Sequence, residues 1–294
     1  MMGFLAASGA FALTFKSVTA PATLVYSPDA IVQTTGRIRV VHDSYSGPFC
    51  VVLTQLSLLP APVAPAEGLS YALYQPDTSP TYRLSLDGAP TNSTEVLTGS
   101  FATNPSYKRP FVDLGFAVFA YPSTLPPPGT YTATIRANLY ASDFPATGAP
   151  SDTTTFAVTV TVSSVTDISI VPTGASFSVA STAANLSFGV LSANATRALD
   201  LLVRANVRYS LSLVSANGGA LSNQADGSLI GYSLAASGSV VPLQAGVASF
   251  VGVNADATYS RPAKYGISVS IRPFADFPVE GTYSDLVTVN VIAP

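Results

Sequence analysis

The chain carries one unit of sequence twice, and this restricts its architecture more than any other feature. Tyr107-Lys108-Arg109-Pro110 recurs as Tyr259-Ser260-Arg261-Pro262, an offset of 152. At the same offset Pro126 to Tyr131 (PPPGTY) matches Pro278 to Tyr283 (PVEGTY), and Asn138 and Ala141 fall on Asn290 and Ala293. Nine of the 35 positions from 107 to 141 are identical, without a gap. Nearer the front, Phe15, Leu24 and Tyr26 match Phe177, Leu186 and Phe188 at an offset of 162, and Phe49 to Leu53 matches Tyr209 to Leu213 at 160. A collinear series with a drifting offset describes two homologous domains, residues 13–165 and 166–294, the second slightly shorter.

Both copies read as strands. Arg37 to Val41, Tyr131 to Leu139, Val203 to Val214 and Tyr283 to Ile292 show period-two alternation or β-branched enrichment. Turn dipeptides such as Asp87-Gly88, Pro128-Gly129, Gly218-Gly219 and Asp226-Gly227 separate such segments. No segment carries a sustained helical apolar period. The expected fold is all-β, with two tandem immunoglobulin-like antiparallel sandwiches.

The copies differ at their ends. After its Gly-Thr-Tyr strand, the first copy runs on into a segment where Phe156, Val158, Val160 and Val162 alternate with Ala157, Thr159 and Thr161. That strand has one apolar face and would close its own sandwich. In the second copy the sequence stops at Pro294 directly after the equivalent strand, so the second sandwich is expected to lack its final strand. Burying four such side chains contributes roughly 1.5–3 kcal/mol each, or about 6–12 kcal/mol in gross terms. Whole-domain stability is about 5–15 kcal/mol. The second sandwich should therefore expose an apolar groove and take a strand from another chain. Its acceptor edge is assigned to Leu186, Phe188, Leu286, Val287, Val289 and Val291. The competing reading is that Ile168 to Val179 folds back into the gap. Phe15 already matches the second copy's first strand, so the chain is expected to accept a strand without donating one, and hence to end a linear polymer.

Composition narrows the function. Of 294 residues 48% are hydrophobic, yet only 10% are charged, against roughly 25% in an average globular protein. A net charge of −3 gives no positive field for phosphates, so nucleic acid is not an expected partner. High apolar content spread along the chain excludes disorder, and no apolar run approaches the ~20 residues of a membrane helix. Residues 1–12 (MMGFLAASGAFA) read as a truncated signal peptide ending in Ala10-Phe11-Ala12, the alternative being an apolar first strand. Cys50, the one cysteine, can form no intrachain disulfide and reads as a buried thiol.

Few groups are suited to catalysis. His42-Asp43-Ser44 sets triad residue types side by side, but a triad requires spatial convergence and an oxyanion hole. There are no clusters of His or Cys for zinc and no calcium-loop pattern. The chain is read as a non-enzyme without a cofactor. A sugar-binding face using Tyr71, Tyr74, Tyr82 and Asp87 is the remaining binding-module alternative.

Four segments in order carry a family resemblance: Leu186 to Gly189, Arg208 to Leu213, Ile230 to Leu234 and Gly281 to Val289 (GTYSDLVTV). Together they resemble the spore coat protein U domain, the subunit domain of archaic chaperone–usher pili. The resemblance covers the second copy end to end and the first more loosely. It implies export through the periplasm, a periplasmic chaperone that lends a strand, passage through an outer-membrane usher, and a neighbouring pilin subunit as the final strand donor. In two-domain members the second domain is the pilin and the first the tip adhesin, placed at the pilus tip on the cell surface. Family members often carry paired cysteines, which this chain lacks.

One loop distinguishes the copies further. Domain two has polar Ser215 to Gly219, whereas domain one has Leu56 to Pro65, with Leu56, Leu58, Leu59 and Val63 in a proline-stiffened run. An exposed apolar loop of this kind marks an interaction surface, and proline lowers the ordering cost on contact. Leu125, beside Pro126–Pro128, and Phe144 are further candidates. Related tip adhesins bind through hydrophobic finger-like loops, so the resemblance implies attachment to an abiotic or host surface. The alternatives are that Leu58 or Leu59 caps the sandwich, and that the chain is a non-adhesive structural pilin or coat-like subunit.

Overall fold

The computed structural model describes residues 13–43, 47–56, 70–74, 84–85, 94–101, 111–120, 125–143, 148–258, 261–274 and 278–293. Every regular element among them is a strand. Backbone contacts divide the chain into two compact units, Met1–Ser163 and Ser164–Pro294.

The first unit contains β1 (Leu13–Thr19), β2 (Leu24–Val25), β3 (Val32–His42), β4 (Gly47–Gln55), β5 (Ser70–Tyr74), β6 (Leu84–Ser85), β7 (Thr94–Phe101), β8 (Phe111–Ala120), β9 (Gly129–Tyr140) and β10 (Asp152–Val162). They form two five-stranded sheets, ordered β1-β3-β8-β5-β6 and β2-β10-β9-β4-β7. Alternation sets the faces. In β10, Phe156, Val158, Val160 and Val162 are buried, while the threonines between them face out or sit part-way. β9 pairs with β10 over its whole length, from Leu139 opposite Asp152 to Gly129 opposite Val162. On its other side β10 runs parallel to β2, with Val160 opposite Leu24. One backbone edge of β10 is thus paired along its whole length and the other at Val160 and Thr161, and its apolar face completes the core.

Two glycines inside strands mark close approaches. Gly36 lies opposite Phe116 and Gly99 opposite Phe49 in the antiparallel ladders. A Cβ on Gly36 would overlap the Phe116 ring, and one on Gly99 would meet Phe49 at 2.5 Å. Each missing side chain makes room for the cross-strand aromatic ring, which is fully buried.

The second unit contains β11 (Thr166–Val171), β12 (Thr196–Ala205), β13 (Tyr209–Ser215), β14 (Ala220–Asn223), β15 (Leu229–Ala236), β16 (Ser239–Val241), β17 (Ser249–Ala255), β18 (Ala263–Ile271), β19 (Tyr283–Ser284) and β20 (Val287–Ile292). One sheet runs β11-β12-β18-β15-β14-β19, with β16 joined to β15; the other is β17-β13-β20. Ile168 to Val171 pairs with β12 at the edge of the larger sheet. This segment therefore does not fold back into the opposing sheet. Phe177, matched to Phe15 by sequence, lies in the irregular stretch beyond β11 rather than in a strand. Among the described residues the chain is all-β, two largely antiparallel sandwiches, and the second shows no strand at the position that β10 fills in the first.

Candidate functional site

The two units share one frame of reference. In the first, β4 pairs with β9 so that Val51, Leu53 and Gln55 oppose Leu139, Ala137 and Ile135. In the second, β13 pairs with β20 so that Leu211, Leu213 and Ser215 oppose Val291, Val289 and Val287. Offsets of 160 and 152 convert one set into the other residue for residue. The difference lies on the far side of the second strand. β9 is covered by β10, whereas β20 has no partner on its outer edge among the described residues. The side chains register it. Ile135, Ala137 and Leu139 are fully buried, while Val287, Val289 and Val291 remain half-buried.

Beside that free edge a cleft of about 1040 Å³ opens between the two sheets. Its floor comes from the larger sheet, including Ile170, Leu201, Leu234, Ile267 and Val269. Leu186 and Phe188 form one lip, and Leu286, Val287 and Val289 the other. Val291 lies outside the cleft, packed against the core opposite Leu211. Leu24 of β2 matches Leu186 in sequence and pairs directly with β10 in the first unit. The lips of the cleft therefore match the two strands that flank β10 in the completed unit.

One end of the cleft is closed by its own chain. β9 runs unbroken, but the matching stretch in the second unit breaks at Asp285–Leu286. Tyr283 and Ser284 pair with Asn223 and Ser222 of β14 in the opposite sheet. Asp285, which replaces Ala133, fixes the break: its Oδ2 accepts from Ser215 Oγ at 2.6 Å and the Tyr232 hydroxyl at 2.5 Å, and its Oδ1 from Asn217 N–H at 3.0 Å. Burial, reinforced by this carboxylate, raises the Tyr232 pKa well above the ordinary phenol value. At the docked tip, the side-chain Nδ2 of Asn223 is buried without a hydrogen-bond partner, against Gly281. Such a group costs about 1–3 kcal/mol.

Away from the cleft, the proposed surface loops fare unevenly. Leu56 is exposed at the end of β4, its N–H donating to the Thr134 carbonyl at 2.8 Å. Leu58, Leu59, Val63 and Phe144 lie outside the described residues, as do Tyr82, Asp87 and Ser44. Leu125 corrects the expectation placed on it. It is only 2% exposed, its side chain removed from water. His42 is buried, its ring 4.2 Å from that of Phe101, and burial lowers its pKa. Cys50 is a buried thiol whose pKa burial raises. Among the described residues no group of His, Cys, Asp and Glu is arranged to hold a metal ion.

The sequence signal for the cleft was the match between the β9 and β20 segments, read beside the apolar alternation of Phe156 to Val162. The Asp285 clamp had a weaker signal, a carboxylate at the position that alanine holds in the other copy.

No family model matches the chain, and no curated protein matches it. Among solved structures, it is similar to the CsuC–CsuE chaperone–tip adhesion subunit pre-assembly complex from archaic chaperone-usher Csu pili of Acinetobacter baumannii, at 13% identity and a TM-score of 0.45, covering 94% of this chain and 99% of that one. It is similar to the CupB6 tip adhesin from Pseudomonas aeruginosa, at 10% identity and a TM-score of 0.33, covering 95% and 94%. The values for CfaE, the adhesive subunit of CFA/I fimbria of enterotoxigenic Escherichia coli, are 11% identity and a TM-score of 0.27, covering 96% and 83%.

Proposed function

We propose that the chain is the tip adhesin of an archaic chaperone–usher pilus, joined to the fibre by a strand that a neighbouring pilin subunit inserts beside β20. The observation that carries this reading is the contrast between β9, covered by β10, and β20, which shares its frame yet leaves three valines half-buried at an open edge. On this reading a periplasmic chaperone occupies the groove first and an outer-membrane usher passes the subunit to the cell surface. The first unit, complete in itself, is the adhesive part, and its apolar Leu56 to Val63 loop meets an abiotic or host surface.

The test is titration of the full chain with a peptide copying Thr153–Val162. The peptide should bind antiparallel to β20, as β10 does to β9. At 100-fold excess over Kd it should add about 2.7 kcal/mol to the second unit, a rise of about 8–15 °C in its melting midpoint. A control peptide with Val158 and Val160 replaced by Asp should do neither. Absence of binding by the parent peptide would overturn the strand-acceptor reading.

The burial of Leu125 favours a second reading, a structural subunit with the same groove and no adhesive surface. Replacing Leu58 and Leu59 with Ser separates the two. Attachment falls with piliation intact if the loop adheres, and is unchanged if the subunit is structural.

A further inference from the structure

Two matching segments take different positions in the two units. In the first unit Gly129 to Tyr131 begins β9 and pairs with Val160 to Val162 of β10. In the second unit the matching Gly281 to Tyr283 leaves the sheet of β20, and β19 docks on β14 instead. The local turn is the same in both. The Tyr131 hydroxyl donates to the Pro127 carbonyl at 2.7 Å, and the Tyr283 hydroxyl to the Val279 carbonyl at 2.9 Å. A shared turn in two placements is what movement about a hinge would connect, and in the second unit the chain breaks at Asp285–Leu286.

The docked placement conflicts with a full-length incoming strand. In the first unit Phe156, Val158, Val160 and Val162 oppose Ile135, Ala133, Tyr131 and Gly129. Carried to the second unit at the offset of 152, these positions face Val287, Asp285, Tyr283 and Gly281. Only the first lies in β20, and the segment holding the last two forms a wall of the cleft.

We infer that Pro278 to Ser284 is a two-position arm: docked on β14 it half-closes the groove, and it swings out about Asp285 to lengthen β20 when a strand enters. The inference rests on the strand-acceptor reading. The dock is suited to release. It is held by a two-residue ladder, bonds of 3.2 Å from Gln224 N–H to the Thr282 carbonyl and from Asn217 Nδ2 to the Ser284 carbonyl, a hydroxyl contact between Ser228 and Tyr283 at 3.0 Å, and partial burial of Tyr283 against the core. Val279 stays 54% exposed, and the Asn223 Nδ2 beneath Gly281 is left unpaired. The Asp285 clamp holds the hinge on β13 and β15 and does not bind the tip.

The experiment locks the arm. In a full chain carrying Cys50→Ala, Ser222→Cys and Ser284→Cys face each other across β14 and β19. Reduced, this variant should bind the Thr153–Val162 peptide as the parent does; oxidised, it should bind at least tenfold more weakly. Equal binding in both states would overturn the arm while leaving the strand-acceptor reading standing. Failure of the parent to bind would overturn both. Hydrogen exchange on the unsubstituted chain gives an independent readout. Peptide should slow exchange across Val287–Ile292 and quicken it at the Gln224 amide, and unchanged protection of Gln224 beside a protected β20 would also overturn the arm.

Discussion

The Tyr232 hydroxyl donates to Asp285 Oδ2 at 2.5 Å, across the end of the second unit's cleft. A buried phenol holding a carboxylate ties stability to alkaline pH. The folded-state pKa of Tyr232 lies above its ordinary value of 10.0, through burial first and the neighbouring carboxylate second. A group raised on folding stabilises fully below its unfolded pKa and loses that contribution as pH rises toward the folded one. Denaturant midpoints of the second unit should therefore hold up to about pH 10 and then fall. Tyr232→Phe should flatten part of that fall, at a cost near neutrality of about 1.5–3 kcal/mol for a bond to a charged acceptor.

Asp200 sets the opposite limit. Its nearly buried carboxylate accepts from Gly174 N–H at 2.7 Å and sits 2.7 Å from Lys264 Nζ, which together hold its pKa below the ordinary 3.8. A depressed carboxylate stabilises above its unfolded pKa, and the contribution disappears as pH falls through the folded value. Asp200→Asn should cost about 1–3 kcal/mol at pH 7. The gap between variant and parent should narrow below about pH 4, which chemical denaturation across pH 2–7 would show.

In the first unit, Gly36→Val should destabilise by about 1–3 kcal/mol, because the added Cβ overlaps the end of the Phe116 ring. Pairing it with Phe116→Leu should recover part of the loss. Additive costs in that double-mutant cycle would mean the two sites are independent.

Val158, 1% exposed in the middle of β10, is the position where loss of the closing strand can be imitated. Val158→Asp buries a carboxylate without a partner and should unfold the first unit, or lower its stability by more than about 3 kcal/mol. The melting step of the second unit should stay where it was.

Much of this was legible in the sequence, for a definite physical reason. Alternation in Phe156 to Val162 specifies a face, and two copies of one unit allow the face to be counted in each. The open edge of β20 followed from that comparison. The bend at Asp285 did not, because Gly281-Thr282-Tyr283 reads as one extended run with Ser284 to Val291, and only tertiary bonds from Ser215 and Tyr232 break it. Leu125 misled in the other direction. A leucine among prolines looks exposed in a one-dimensional string, yet proline stiffness says nothing about which way the turn faces. Gly36 and Gly99 carried a signal in their positions inside strands, since glycine there marks a close neighbour, but the string does not say which ring arrives.

The shared frame of β4–β9 and β13–β20 also bears on how the molecule should come apart. One copy holds a finished core, and the other has an unfilled position in the same lattice of contacts. Heating such a chain should give two calorimetric transitions rather than one cooperative event, so no single midpoint describes it. The early transition alone should climb with the logarithm of added strand, as linkage requires of a site that exists only in the folded form. Stability in that half is then a function of composition of the solution, and the finished half supplies a constant reference within every molecule.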